Sequence, residues 1–146
     1  MAPDTRFTTR PPADPAAYQF KHPVRVRFAE TDAMGIVHHS VYPVYFEEAR
    51  VAYLNAIGRP YAEMHESGLD MAVLEVWVGY RRPLRFDEVV DVGVAITGVT
   101  RATVEIAYCL SIEDTVRASG ITIHGCVDRA GRPRRLPDWL RAPSNA

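Results

Sequence analysis

The chain predicts an α+β fold in which one antiparallel sheet of five strands curls around a single long central helix. Three observations predict it. A short alternating stretch precedes one long and unusually apolar helical pattern. Four strand-length runs rich in Val, Ile, Thr and Tyr follow it. The links between those runs are too short for crossover helices, so neighbours pair mainly as antiparallel hairpins or meander links.

Residues 1–21 carry Pro3, Pro11, Pro12 and Pro15 among scattered charges, the composition of a mobile proline-rich arm; Tyr18 and Phe20 are the side chains able to dock its end. Residues 22–146 form a single domain. From Val24 to Phe28 the side chains alternate, with Val24, Val26 and Phe28 inward and Arg25 and Arg27 outward, which is the period of a half-buried strand. A loop from Glu30 to His39 follows. Ser40 is the expected N-cap, Pro43 falls in the first helical turn, and Gly58 with Pro60 stops the helix, which gives a span of Val41 to Ile57. Its apolar residues extend well beyond one narrow stripe, so it is expected to be wrapped on most sides, with Glu47 and Arg50 paired on the polar remainder. A second helical turn runs from Tyr61 to Glu66 and ends at Gly68. The strands then read Met71 to Tyr80, Val89 to Val99, Ala102 to Ile112 and Thr115 to Val127. A single sheet of this kind leaves edge strands open, so two copies are expected to join along it.

A chain of 146 residues buries roughly two-thirds of its unfolded surface and needs no staples. With 47% hydrophobic and 24% charged residues it is an ordinary folded composition. The formal net charge of -1 supplies no overall field for nucleic acid or an anionic membrane. No run is long enough to cross a bilayer, the N-terminus has no apolar core of signal-peptide length, and Cys109 and Cys126 make no disulfide framework. The expectation is a cytoplasmic protein with no nucleic-acid partner and no membrane insertion.

Asp32 stands between a strand end and a helix start, in a loop with Gly35. An aspartate there often only caps a turn. Beside the free N–H groups of a helix start, however, a carboxylate can attack an acyl carbonyl or activate water, while the N–H groups hold the oxyanion. Either role needs only an ionised carboxylate, which an ordinary aspartate is at neutral pH.

Arg25 and Val26, then after a gap of four residues Thr31, Asp32, Gly35, Ile36, Val37, His39 and Tyr42, together resemble the active-site signature of the hotdog-fold acyl-CoA thioesterases of the 4-hydroxybenzoyl-CoA thioesterase type, including those encoded beside bacterial Tol-Pal proteins. The likeness covers about Pro23 to Pro137. It implies a hotdog fold, hydrolysis of an acyl-CoA thioester without a cofactor, and a homodimer or homotetramer. It also implies Asp32 as catalytic carboxylate, either nucleophile through a mixed anhydride or general base on water, with the thioester oxygen aimed at backbone N–H groups near His39 and the helix start. Gly35, Ile36, Val37, His39 and Tyr42 become substrate-binding candidates. For His39 the alternative is a role in capping or orienting the loop, and for Tyr42 it is packing; His38, at a variable position, is expected as a wall residue.

Other arrangements compete for the chemistry. Glu30 pairs with Asp32 only if the strand continues that far, Cys109 sits mid-strand without an activating partner, and Asp32, His38, His39 and Glu47 fit no metal-ligand spacing. Acyl-pocket walls are expected from Val37, Tyr42, Tyr45, Met64 or residues of the second strand. Two arginine groups are candidates for the CoA phosphates: Arg129, Arg132, Arg134 and Arg135 near the C-terminus, and Arg81, Arg82 and Arg85 around Pro83, the latter if a dimer brings it near the other subunit's loop. The rival functions are an enoyl-CoA hydratase or dehydratase on the same fold, and a non-catalytic acyl-CoA binder.

Overall fold

Strand β1 spans Phe20–Arg25, starting and ending earlier than the alternation implied. The computed structural model describes residues 10–141 of the chain. Val24 and Val26 are buried, and Val26 still exchanges backbone hydrogen bonds with Glu88 and Asp87, but the chain then tightens into a 3-10 turn at Phe28–Glu30. That turn swings Phe28 out to 76% exposure instead of into the core.

Helix α1 runs Tyr42–Ala56, one residue inside the predicted span at each end, behind a 3-10 turn at His39–Val41. Ser40 is not the cap. Its N–H donates to Nδ1 of His38, which caps the 3-10 turn, and Val41 makes no side-chain bond at the start of α1. Beyond α1 the N–H groups of Gly58 and Arg59 return to the carbonyls of Asn55 and Leu54. Helix α2, Tyr61–Glu66, matches its prediction.

The remaining strands are β2 (Asp70–Tyr80), β3 (Val89–Val99), β4 (Thr103–Ile112) and β5 (Thr115–Val127). The order across the sheet is β1-β3-β4-β5-β2, every pair antiparallel. Hairpins join β3, β4 and β5 as expected. By contrast, β2 leaves the meander and becomes the far edge, so residues 81–88 must cross one end of the sheet to reach β3. Two short elements were not anticipated: β6 (Pro133–Arg134), paired with Val127 and Cys126, and α3 (Asp138–Arg141).

One face of the sheet packs on α1. Phe46 lies flat on Tyr108, with ring centroids 4.4 Å apart, over Gly120; a Cβ at that glycine would strike the Phe46 ring. The wrapping of α1 is one-sided: Tyr45, Phe46, Ala49 and Leu54 are buried, while Val44 and Val51 are exposed. The expected Glu47–Arg50 pair is replaced by a bond from Arg50 to the Tyr108 hydroxyl at 3.0 Å. That bond begins a buried polar chain, because Tyr108 meets Thr122 at 2.6 Å and Thr122 meets His124 Nε2 at 2.7 Å.

Part of the other face is covered from residue 10 onward by the segment expected to be mobile. Tyr18 is 3% exposed, seated over Gly93 with its hydroxyl donating to Pro12 O, and Arg10 lies 4.4 Å over the Trp77 ring. Residues 1–9 of that arm lie outside the described residues.

Candidate active site

Residues 31–37 form a tight hairpin across one end of the sheet. Thr31 bridges Val37, and Ile36 bridges Arg85 of the link between β2 and β3. Within it the Asp32 N–H donates to Ile36 O and the Gly35 N–H to Asp32 O, both at 2.9 Å. Gly35 takes φ 76°, a conformation costly for any residue with a Cβ, which is why a glycine closes this turn.

The two carboxylate oxygens of Asp32 stand differently. Oδ1 accepts the Met34 N–H at 2.8 Å, and among the described residues nothing bonds Oδ2. Asp32 lines an open cleft of about 320 Å³ with Ile36, Val37, His39 and Tyr42. Met34, Tyr80, Arg81, Arg82 and Pro83 complete its wall. Of the predicted substrate-binding residues, Gly35 shapes the turn and does not line the cleft. Tyr45 and Met64, expected as pocket walls, face elsewhere: Tyr45 reaches Glu30, and Met64 lines a separate cavity beside Trp139.

Sequence offered His39 for the substrate or for the loop, and His38 for the cleft wall. His38 Nδ1 accepts the Ser40 N–H and bonds its hydroxyl at 2.7 Å, so the loop-capping histidine is His38. His39 stacks beside it with ring centroids 4.1 Å apart and turns into the cleft. Tyr42 is both core and wall: it is 3% exposed, and burial holds its phenol above the usual tyrosine range.

Two residues that position the cleft were not assigned that part from sequence, which offered Tyr80 only within the second strand as a whole and Glu30 only as a second carboxylate. Tyr80, the last residue of β2, donates its hydroxyl to His39 O at 2.6 Å and meets the Tyr42 ring edge-on at 4.9 Å. It fastens the edge strand to the start of α1. Glu30 is 9% exposed and turned into the protein, where Oε1 accepts the Arg27 N–H at 2.7 Å and the Tyr45 hydroxyl at 2.9 Å. Its carboxylate stitches the loop to α1 and is not a second carboxylate in the cleft. Burial together with this bond pushes the Tyr45 phenol far above its ordinary range. Neither residue carries a local pattern, since both act through side-chain directions that only the crossing link and the 3-10 turn establish.

Cys109 lies mid-strand in β4, 1% exposed, and burial pushes its thiol up to about 11, so it is no nucleophile at neutral pH. Among the described residues no three His, Cys, Asp or Glu side chains are grouped to hold a metal, and no helix is long and apolar enough to cross a membrane.

Comparison with known proteins meets this geometry from outside. The family model described as the thioesterase-like superfamily matches residues 26–143. The acyl-CoA thioester hydrolase YbgC of Escherichia coli is 28% identical over 125 residues, covering 84% of this chain and 93% of its own. Among solved structures, a hypothetical protein from Aquifex aeolicus superposes with a TM-score of 0.80 at 37% identity, over 84% of this chain and 97% of that one. The DHNA-CoA thioesterase of Staphylococcus aureus gives 0.79 at 29% identity, over 84% and 86%. The Tol-Pal-associated and 4-hydroxybenzoyl-CoA subgroup is not singled out by these matches. An α+β sheet wrapped on one central helix, a loop carboxylate at the helix start and a match across nearly the whole described chain converge: this chain belongs to the thioesterase-like superfamily of hotdog-fold proteins and is a thioester hydrolase.

Proposed function

We propose that the protein hydrolyses acyl-CoA thioesters with Asp32 as its catalytic carboxylate. The observation that carries this is the split at Asp32: one oxygen is fixed by the Met34 N–H, and the other is unengaged beside the cleft. Relatives named for hydrolysis of acyl-CoA and of 1,4-dihydroxy-2-naphthoyl-CoA support the substrate class. In the general-base route Asp32 takes a proton from water as the water oxygen adds to the acyl carbon; the C–S bond then breaks and the proton passes to the departing thiolate. In the nucleophilic route Oδ2 itself adds, the thiolate leaves, and water opens the resulting anhydride. Both build negative charge on the thioester oxygen. The start of α1 and its leading 3-10 turn supply partial positive charge there, and among the described hydrogen bonds none uses the His39 N–H. His39 and Tyr42 position the acyl group against Asp32.

A panel of acyl-CoA thioesters with a thiol reagent tests this reading. Release of CoA thiol with aliphatic or aromatic members is the expected result. No release from any member, with water added across an enoyl-CoA, would establish a hydratase; tight binding without turnover would establish an acyl-CoA binder.

The working unit we propose is a homodimer joined along β2. Of the two sheet edges, β1 carries Pro23, Lys21 and Arg25, features that discourage pairing, whereas β2 is eleven residues long without proline and exposes Val73, Leu74 and Val76. Val76→Lys is expected to shift the protein to monomer in size-exclusion chromatography with light scattering, and an unchanged dimer would place the interface elsewhere.

A further inference from the structure

The link between β2 and β3 leaves a row of cations unneutralised. Its two acids are already engaged: Asp87 accepts Arg25 at 2.9 Å, and Glu88 accepts Arg117 at 3.1 Å. Among the described residues the side chains of Arg81, Arg82 and Arg85 make no hydrogen bond or ion pair, and all three are exposed. Three free guanidiniums within five residues are unusual in a chain whose net charge is -1.

Arg81 and Arg82 line the Asp32 cleft, and the backbone of Arg85 bridges that of Ile36, which lines it too. The next residue, Phe86, packs edge-on against Phe28 with centroids 5.6 Å apart. These rings are 54% and 76% exposed, so an edge-to-face pair of aromatics stands in water with ring faces uncovered. From Arg82 to Phe86 the link reaches at most about 14 Å. Along the chain, the cleft-lining Arg82 is thus followed within four residues by Arg85 and by one ring of the aromatic pair. Phosphates are the groups that guanidinium forks bind best, and a purine is the group that exposed aromatic faces bind by stacking.

We propose that this ledge, Arg82 and Arg85 with Phe86 and Phe28, holds the 3′-phosphoadenosine diphosphate end of the CoA substrate, a reading that rests on the acyl-CoA thioesterase function above. The thioester then lies at Asp32, the pantetheine arm leaves along Arg81, the phosphates meet Arg82 and Arg85, and adenine stacks on the phenylalanines. The C-terminal arginine group is differently placed. Arg134 is held by Asp128 at 2.8 Å, in a turn where Asp128 also accepts the Arg132 and Ala130 N–H groups. It lies beyond Val127, nine residues along β5 from Ala118, which pairs with Tyr80 at the cleft end; within one chain that is about 30 Å away.

The test compares an acyl-CoA with the matching acyl-pantetheine, which lacks the nucleotide. The doubly substituted Phe86→Ala/Arg85→Ala protein is expected to raise KM for acyl-CoA tenfold or more with kcat changed less than twofold, and to leave acyl-pantetheine hydrolysis as it was. Equal effects on both substrates, or none on either, overturn the ledge while leaving the thioesterase reading intact. Arg129→Ala/Arg132→Ala is run beside it; if that pair and not the ledge raises KM for acyl-CoA, the phosphates sit at the C-terminal turn and the proposal fails. It fails equally if the ledge substitutions spare acyl-CoA but weaken hydrolysis of an acyl chain carried on acyl carrier protein. Calorimetry with adenosine 3′,5′-bisphosphate needs no turnover: binding that the ledge substitutions abolish supports the site, and no binding to the unsubstituted protein overturns it.

Discussion

Asp32→Asn is expected to lower kcat by about 10²–10⁴-fold, the usual contribution of a positioned acid or base, while KM changes little. That loss corresponds to about 3–5 kcal/mol of transition-state stabilisation. The substitution separates chemistry from architecture because of how the two oxygens are used. An asparagine keeps an amide oxygen to accept the Met34 N–H, so the hairpin turn and the cleft wall survive, and only the basicity and nucleophilicity of the other oxygen are lost. Asp32→Ala removes both, and is expected to add a fall in thermal stability that Asn does not show. Steady-state kinetics and a melting curve on each variant make the comparison. If Asp32→Asn turns over normally, the carboxylate serves the turn alone and the catalytic assignment is wrong.

The features of this fold that sequence revealed are those with local causes. Helix α1 was found to within a residue at each end because Pro43, Gly58 and Pro60 act on their own turns, and β3 and β5 matched because the hairpins between β3, β4 and β5 bound them. The failures are non-local. Alternation from Val24 to Phe28 is a true strand period, yet the backbone tightens at Phe28 once Glu30 is drawn inward by Tyr45 and Arg27, and no residue between them announces it. The departure of β2 to the far edge depends on the ladder from Tyr80–Ala118 to Asp70–Val127, a partnership between residues up to 57 positions apart. The site divides in the same way. Asp32, Ile36, Val37, His39 and Tyr42 were legible as one contiguous stretch and do line one cleft, whereas Tyr80, Arg81 and Arg82 join them only because the β2–β3 link crosses that end of the sheet. His38 and His39 differ by one position in sequence and point apart in space, since the 3-10 turn directs one ring to Ser40 and the other into the cleft.

Acidification is expected to destabilise the protein well before its carboxylates titrate, through His124. This side chain is fully buried between β2 and β4, and with each hydroxyl donating once the chain runs from Arg50 to Tyr108 to Thr122 to His124 Nε2. Nε2 is then an acceptor and the proton sits on Nδ1, which has no partner. A second proton would place a cation in the core beside the Arg50 guanidinium. Burial first, and Arg50 second, lower the His124 pKa from 6.5 to about 3. Since the folded value is depressed, the folded state stays neutral while the unfolded chain takes up a proton below pH 6.5. The unfolded state therefore binds more protons, and stability is fully present above that pH and lost as pH falls toward about 3. The loss is at most about 1.4 kcal/mol per pH unit for one proton, or about 2–3 kcal/mol between pH 7 and pH 4.5. Asp70 and Asp128, whose pKa values are lowered by His65 and by the Arg132 N–H respectively, withdraw their contribution only below 3.8, so the two windows separate. Guanidinium unfolding at a series of pH values checks this: the slope between pH 6.5 and pH 4.5 is expected to flatten by about one proton in both His124→Leu and His124→Gln. If both variants keep the slope of the unsubstituted protein, His124 is protonated in the folded core, and the hydroxyl chain from Tyr108 to Thr122 must run the other way.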